Sequence, residues 1–207
     1  MRGELIPLFP LQAVLLPRAP LPLHIFEERY KEMMHEVIAA ESEFGVVLTR
    51  DEGVLSTGCT ATVERILRRF EDGRIDLLAV GQRRFTLLSI DMERSFLRGQ
   101  IEDLEDEEFG PASPQKVREA IALQQEYART IDTETEAPDP DEPELSFVLG
   151  AISPDMEFRQ TLLATRSEAR RIELVAGHLA RLIKRHAIQE AMRRAARANG
   201  HGKHLKG

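Results

Sequence analysis

The groups in this chain that could do chemistry are six histidines, one cysteine and a run of carboxylates. His201 and His204 stand in a Gly- and Lys-rich end, where a disordered tail accounts for them better than a metal site. His186 shares an apolar helical stripe and reads as a hydrogen-bonded boundary residue. His35 and His178 are isolated on helical stretches and read as surface or packing residues. His24, in Leu21-Pro22-Leu23-His24-Ile25-Phe26, reads as a side chain that fixes the entry into a helix. Cys59 follows Gly58 at the start of a strand with no base nearby, and so reads as a buried small apolar group. A single cysteine also excludes a disulfide framework and a Cys-rich zinc site. Acid–base catalysis needs two carboxylates held at a defined distance in a cleft. The crowded acids at 102–108 read instead as a solvated segment.

Short motifs that build catalytic sites are absent. There is no G-x-x-x-x-G-K-[ST] phosphate loop, no G-x-G-x-x-G and no H-E-x-x-H, and no G-x-S-x-G elbow. No catalytic residue, cofactor or metal is therefore expected. The basic residues between Arg166 and Arg197 could contact phosphates, but they lack the interleaved aromatics that stack bases.

The 207 residues suffice for one large domain or two small ones. Tryptophan is absent and aromatics are 5%, so the core must rest on Leu, Ile, Val and Phe. No apolar run approaches the ~20 residues of a membrane span, and the N-terminus lacks the pattern of a secretory signal. A cytoplasmic protein is expected. The net charge of −7 is uneven: residues 1–110 carry −8, whereas 159–207 carry +9.

The first half is β-rich. Glu4–Phe9, Phe44–Leu48, Thr60–Phe70, Arg74–Val80, Arg84–Ile90 and Phe96–Ile101 read as strands, and Asp72-Gly73 predicts a type I′ hairpin turn. Five prolines from Pro7 to Pro22 keep that stretch out of helix and out of central sheet positions. Phe26, Tyr30, Met33 and Val37 form one face of a helix. After residue 110, Ser113-Pro114 opens a helix with Val117, Ile121, Ala128 and Ile131 on a stripe and Gln124 as an exception. The acidic, proline-bearing stretch 132–144 reads as a mobile loop. Leu145–Ile152 reads as a short helix, and Ser153-Pro154 caps the next. Thr165-Arg166-Ser167-Glu168 fits a capping box for a long helix with Ile172, Val175, Leu179, Leu182 and His186 on one face. Glu190 pairs with Arg194. The expected units are 1–110, 111–198 and a disordered tail at 199–207.

The opening residues Leu5-Ile6-Pro7-Leu8-Phe9-Pro10-Leu11, then Val14-Leu15-Leu16-Pro17, Leu21-Pro22-Leu23-His24-Ile25-Phe26-Glu27 and Arg29-Tyr30, resemble the N-terminal substrate-recognition domain of Lon proteases. The resemblance continues through Phe44-Gly45-Val46-Val47-Leu48, Gly58-Cys59-Thr60-Ala61, Asp72-Gly73-Arg74 and Gly81-Gln82-Arg83-Arg84-Phe85. It ends in Leu145-Ser146-Phe147 and Gln160-Thr161-Leu162-Leu163, covering roughly residues 4–185. It implies an α+β fold, a PUA-like β pseudo-barrel followed by an α-helical bundle. It also implies a bacterial, free-standing relative without the ATPase and protease modules. Cys59 replaces a usual threonine, and Arg18-Ala19 replaces a glycine-containing turn.

The leading expectation is a non-enzymatic module that binds polypeptide, unfolded or degron-bearing, by main-chain pairing at a sheet edge or in an apolar groove. Glu27, Arg29 and Tyr30 beside the first helix, with Arg83 and Arg84 at a strand start, are the candidate protein-binding residues. RNA binding and an enzyme acting on a small molecule are the alternatives. The acidic first half disfavours nucleic acid, no membrane contact is expected, and a homodimer is left open.

Overall fold

In this computed structural model the described residues are 4–107 and 110–200. The β-branched stretches around Asp72-Gly73 form two strands that run far beyond their hairpin, β4 (Gly53–Arg69) and β5 (Ile75–Asp91). Phe70 N–H bonds Arg74 O at 2.9 Å, and Gly73 N–H bonds Phe70 O at 3.1 Å. A type I′ turn needs positive φ at two residues. Within this loop Gly73 alone has it, at 82°. The turn is therefore a three-residue loop with Gly73 in the left-handed position. Arg84–Ile90 is not a separate strand but the second half of β5.

That length closes the sheet. The first half of β5 pairs with β2 (Pro20–Ile25), and the second half with β6 (Arg98–Asp103). The order is β2-β5-β4-β3-β1-β6 with β6 returning to β5, where β1 is Glu4–Leu11 and β3 is Phe44–Arg50. The prolines sit where a missing donor is tolerated. β2 is an edge strand. β1 has neighbours on both sides, but Glu4–Pro7 pair with β6 and Leu8–Leu11 with β3, so each half keeps one free side.

Helix α1 (Glu28–Ala40) buries Met33, Met34 and Val37. Phe26 departs from the expected stripe: it precedes the helix and is 59% exposed. After β6 every element is helical: α2 (Pro114–Thr130), α3 (Leu145–Gly150), α4 (Met156–Ala164) and α5 (Glu168–Gly200). Ser113 caps α2 as expected, accepting from Lys116 N–H at 3.3 Å. Gln124 is no exception to the buried face, which it shares with Ala120, Tyr127 and Ala128. The loop 132–144 is tied to the barrel by Arg18, which reaches Pro143 O at 3.1 Å and Glu142 at 2.5 Å. Arg18 itself takes a φ of 64°, in the place where the resemblance puts a glycine-containing turn.

Three local expectations fail, the first two because side chains found tertiary partners. Asp155, not Ser153, caps α4 by accepting from Phe158 N–H. The capping box at 165–168 does not form. Ser167 accepts from Arg170 N–H, Thr165 turns back to Thr161 O, and Glu168 is drawn to Ser146 and Arg171. Glu190 pairs with Arg193 rather than Arg194. Past Leu182, α5 leaves the body and exposes Ile188 and Met192. Most of the expected tail, 201–207, lies outside the described residues.

The barrel and the helices share a core. Phe44, Cys59 and Leu77 belong to the same buried cluster as Phe147, Leu162 and Leu179, while Ile6, Leu8, Val47, Phe85 and Ile101 fill the other part of the barrel. Gly81 joins β5 to the chain before β2: Arg18 N–H bonds Gly81 O at 2.8 Å and Gly81 N–H bonds Ala19 O at 3.0 Å. A Cβ there would lie 2.2 Å from Leu16 O. Gly81→Ala is expected to destabilise the protein by about 1–3 kcal/mol or more through forced backbone displacement. An unchanged urea midpoint would show that the backbone yields freely.

Candidate functional site

Two arginines, one from each half of the chain, meet on one carboxylate. Arg171 on α5 is 1% exposed and Arg84 on β5 is 5% exposed. Arg171 grips Asp106 with two parallel bonds of 2.6 Å and adds Thr165 O at 2.7 Å, Glu168 at 2.6 Å and Ser146 Oγ at 2.9 Å. Arg84 bonds the same Asp106, together with Leu163 O at 3.1 Å and Thr165 O at 2.9 Å. Both guanidinium groups lie over Phe147, at 4.5 Å for Arg171 and 5.3 Å for Arg84. Burial alone would raise the Asp106 carboxyl, but the bonds and charge of Arg171, with Arg84 behind them, hold it below the ordinary range. Burial and the Arg171 charge push Arg84 down; the two carboxylate partners of Arg171 outweigh its burial and push it up. This junction ties strand to helix, with both guanidinium groups buried and the Asp106 and Glu168 carboxylates about a third exposed.

The five candidate binding residues fall into separate settings. Glu27 holds Arg29 at 2.7 Å, and Arg29 lies 4.6 Å over the Tyr30 ring. Tyr30 meets Phe9 edge-on at 4.5 Å, and burial pushes its phenol up. Arg29 and Tyr30 line a depression of about 290 Å³ with Pro10, Thr49 and Phe96. Arg83 pairs with Glu43 at 2.9 Å and with Asp103. Arg84, inside the junction, is closed to a client.

Other reactive groups are also used internally. Ser153 and His178 form the contact of a nucleophile and its base, 2.8 Å apart. Both are buried, and the His178 ring stacks on Phe158 at 3.7 Å. Ser153 Oγ also accepts from Asp155 N–H at 3.2 Å, so the pair is held inside the local backbone network. Burial pushes His178 down. Cys59 is buried, and desolvation raises its thiol far above the usual range, which removes the thiolate. Among the described residues no group of His, Cys, Asp or Glu is arranged to hold a metal ion, and no helix is long and apolar enough to cross a membrane.

An open surface lies where β2, the first half of β5 and the outer half of β4 extend past the barrel. Directly paired residues share a face. Leu21, Leu23 and Ile25 pair with Ala79, Leu77 and Ile75, and this face is turned to the core. The opposite face is a grid of three rows: Pro20-Val80-Thr62, Pro22-Leu78-Arg65 and His24-Asp76-Arg68. Pro20 and Pro22 are exposed and Leu78 and Val80 half-exposed. His24 binds Asp76 at 2.5 Å and stacks on Phe26. At the hairpin tip Phe70 is held between Arg68 and Arg74, at 4.4 and 4.8 Å. The clue in the sequence is the uninterrupted apolar run Leu77-Leu78-Ala79-Val80, which leaves apolar residues on both faces of one strand.

The fold is thus a closed β barrel joined to a bundle of helices through a buried ion-pair junction. Residues 5–181 match the model of the ATP-dependent protease La (LON) substrate-binding domain, and the chain belongs to that family. The Lon N-terminal domain protein of Xanthomonas campestris has a similar structure, with a TM-score of 0.68 and 25% identity over 84% of this chain and 98% of that one. The N-terminal domain of Mycobacterium avium complex Lon protease shares the fold, with a TM-score of 0.67 and 14% identity over 86% and 98%. A Lon protease of Parabacteroides distasonis is 30% identical over 113 residues, half of this chain but 14% of that protein's length.

Arg171→Met takes from Glu168 its guanidinium partner and leaves Asp106 with Arg84 alone; because both carboxylates are about a third exposed, the expected cost is about 1–3 kcal/mol. Urea unfolding checks this; a loss below about 1 kcal/mol would mean that water replaces the guanidinium. His178 has a lowered folded value, so the unfolded chain takes up its proton first. Stability from His178 is therefore fully present above its ordinary value near 6.5 and is lost as pH falls below it. The urea midpoint should drop between about pH 7 and pH 5, and drop less in His178→Gln. Equal slopes in the two proteins would contradict that account.

Proposed function

We propose that this chain is a non-enzymatic binding module that takes extended apolar segments of other polypeptides on the outer face of β2, β5 and β4. The carrying observation is that face itself: Pro20, Pro22, Leu78 and Val80 stand together, without a covering element among the described residues. Membership of a family described as substrate-binding supports a polypeptide ligand.

Binding acts through side chains rather than an added strand. Gly81 N–H bonds Ala19 O, and antiparallel alternation then turns the backbone groups of Leu21, Leu23 and Ile25 toward β5. The outward positions are Pro20, Pro22 and His24, and the two prolines have no N–H to offer. Prolines at an edge block strand addition. This replaces the expected main-chain pairing, at this edge, with an apolar contact.

Fluorescence anisotropy with labelled, unfolded casein tests the reading. Leu78→Ser combined with Val80→Ser should weaken binding about tenfold or more, given ~1.5–3 kcal/mol for each large apolar side chain buried, while circular dichroism stays unchanged. Wild-type affinity in that variant, or recovery of nothing but salt-sensitive RNA complexes, would overturn it.

A further inference from the structure

We infer that the same open face selects apolar segments bearing an adjacent carboxylate, with Arg65 and Arg68 as the receiving groups. This rests on the polypeptide-binding reading above and adds to it the chemistry of the client.

Three observations carry it. First, Arg65 and Arg68 pair with Leu78 and Asp76 in the outer-face rows of Pro22-Leu78 and His24-Asp76, Arg65 also bordering a depression shared with Val37, Ile38 and Glu41 at the end of α1. Arg69, which pairs with Ile75, is turned to the α1 side. Second, neither Arg65 nor Arg68 has a carboxylate partner among the described residues. In the same half of the chain Arg29, Arg74, Arg94 and Arg98 each have one. The shortage is not one of acids, since residues 1–110 carry −8. Asp76, the nearest acid across the ladder from Arg68, is taken by His24. Third, the Arg68 guanidinium carbon lies 4.4 Å over the Phe70 ring centroid, a contact that presets the guanidinium at low entropic cost.

The spacing fits an extended ligand. Alternate residues of an extended chain lie about 6.6–6.8 Å apart and adjacent strands ~4.8 Å apart. An apolar side chain seated over Pro22 and Leu78 therefore brings a carboxylate one or two residues away within reach of Arg65 or Arg68. A guanidinium can meet that carboxylate with two parallel bonds.

Long-range charge predicts the opposite preference. A protein of net charge −7 repels an acidic peptide and attracts a basic one. The sign of the preference thus separates a local site from the general field. The probes are three fluorescein-labelled peptides with one apolar core, flanked by Glu, Lys or Ser, titrated at about 50 mM salt, where surface charge is weakly screened. The Glu-flanked peptide should bind about tenfold more tightly than the Lys-flanked one, a difference of ~1.4 kcal/mol. R65Q/R68Q should abolish the preference and leave the Ser-flanked peptide unaffected, and R65K/R68K should retain part of it. Equal or reversed binding of Glu and Lys peptides would overturn the inference while leaving peptide binding intact. A preference that survives R65Q/R68Q would overturn the assignment to these arginines. No binding of any of the three would sink both readings.

Discussion

Asp106 is the anion on which the arrangement of this molecule depends. It follows the last barrel strand, and it neutralises one guanidinium from the barrel and one from the last helix. Two arginines packed on one phenylalanine ring would repel each other in a low-dielectric interior. The shared carboxylate converts that repulsion into a bridge. Because Arg84 also holds the carbonyls of Leu163 and Thr165, the same contact satisfies the end of α4, where backbone acceptors run out. The junction thus sets the distance and angle between barrel and bundle, and the shared apolar core follows from it.

A fixed junction on one side leaves the opposite part of the barrel free to project. β5 serves two sheets' worth of neighbours in sequence, β2 along its first half and β6 along its second. The part that does not close the barrel continues outward as a three-stranded flap. Its inner face rests on the core, and no element among the described residues covers its outer face. The same prolines that tolerate an edge position also deny a partner the hydrogen bonds of strand addition. The surface is consequently apolar in side chains and silent in backbone along its β2 edge, a combination suited there to reading the side chains of an extended chain.

Much of the fold was legible. The hairpin at Asp72-Gly73, the Ser113 cap and the buried stripe of Ile172, Val175, Leu179 and Leu182 depend on residues close in sequence, where period and turn chemistry suffice. The misreadings share a different cause. Glu168 left its local capping role because Arg171 and Ser146 offered a buried, charge-assisted alternative. Ser153 left its cap for His178, which is 25 residues away. Arg84 and Arg83 are adjacent and chemically identical, yet one is sealed in the interior and the other pairs at the surface. Alternation along a strand separates such neighbours, but it does not say which of them goes inward.

The sequence by itself determined most of the elements, a change from strands to helices near residue 110, and the family, because these follow from local periodicity and short residue patterns. Only the tertiary structure decided which face of β2 and β5 is covered and which is open. A run such as Leu77-Leu78-Ala79-Val80 supplies apolar residues to both faces alike, and burial depends on what packs across the sheet. Likewise, whether an arginine finds an anion depends on groups distant in the chain. Arg171 meets Asp106 from 65 positions away, while Arg65 and Arg68, in a half of the chain with net charge −8, meet no carboxylate among the described residues.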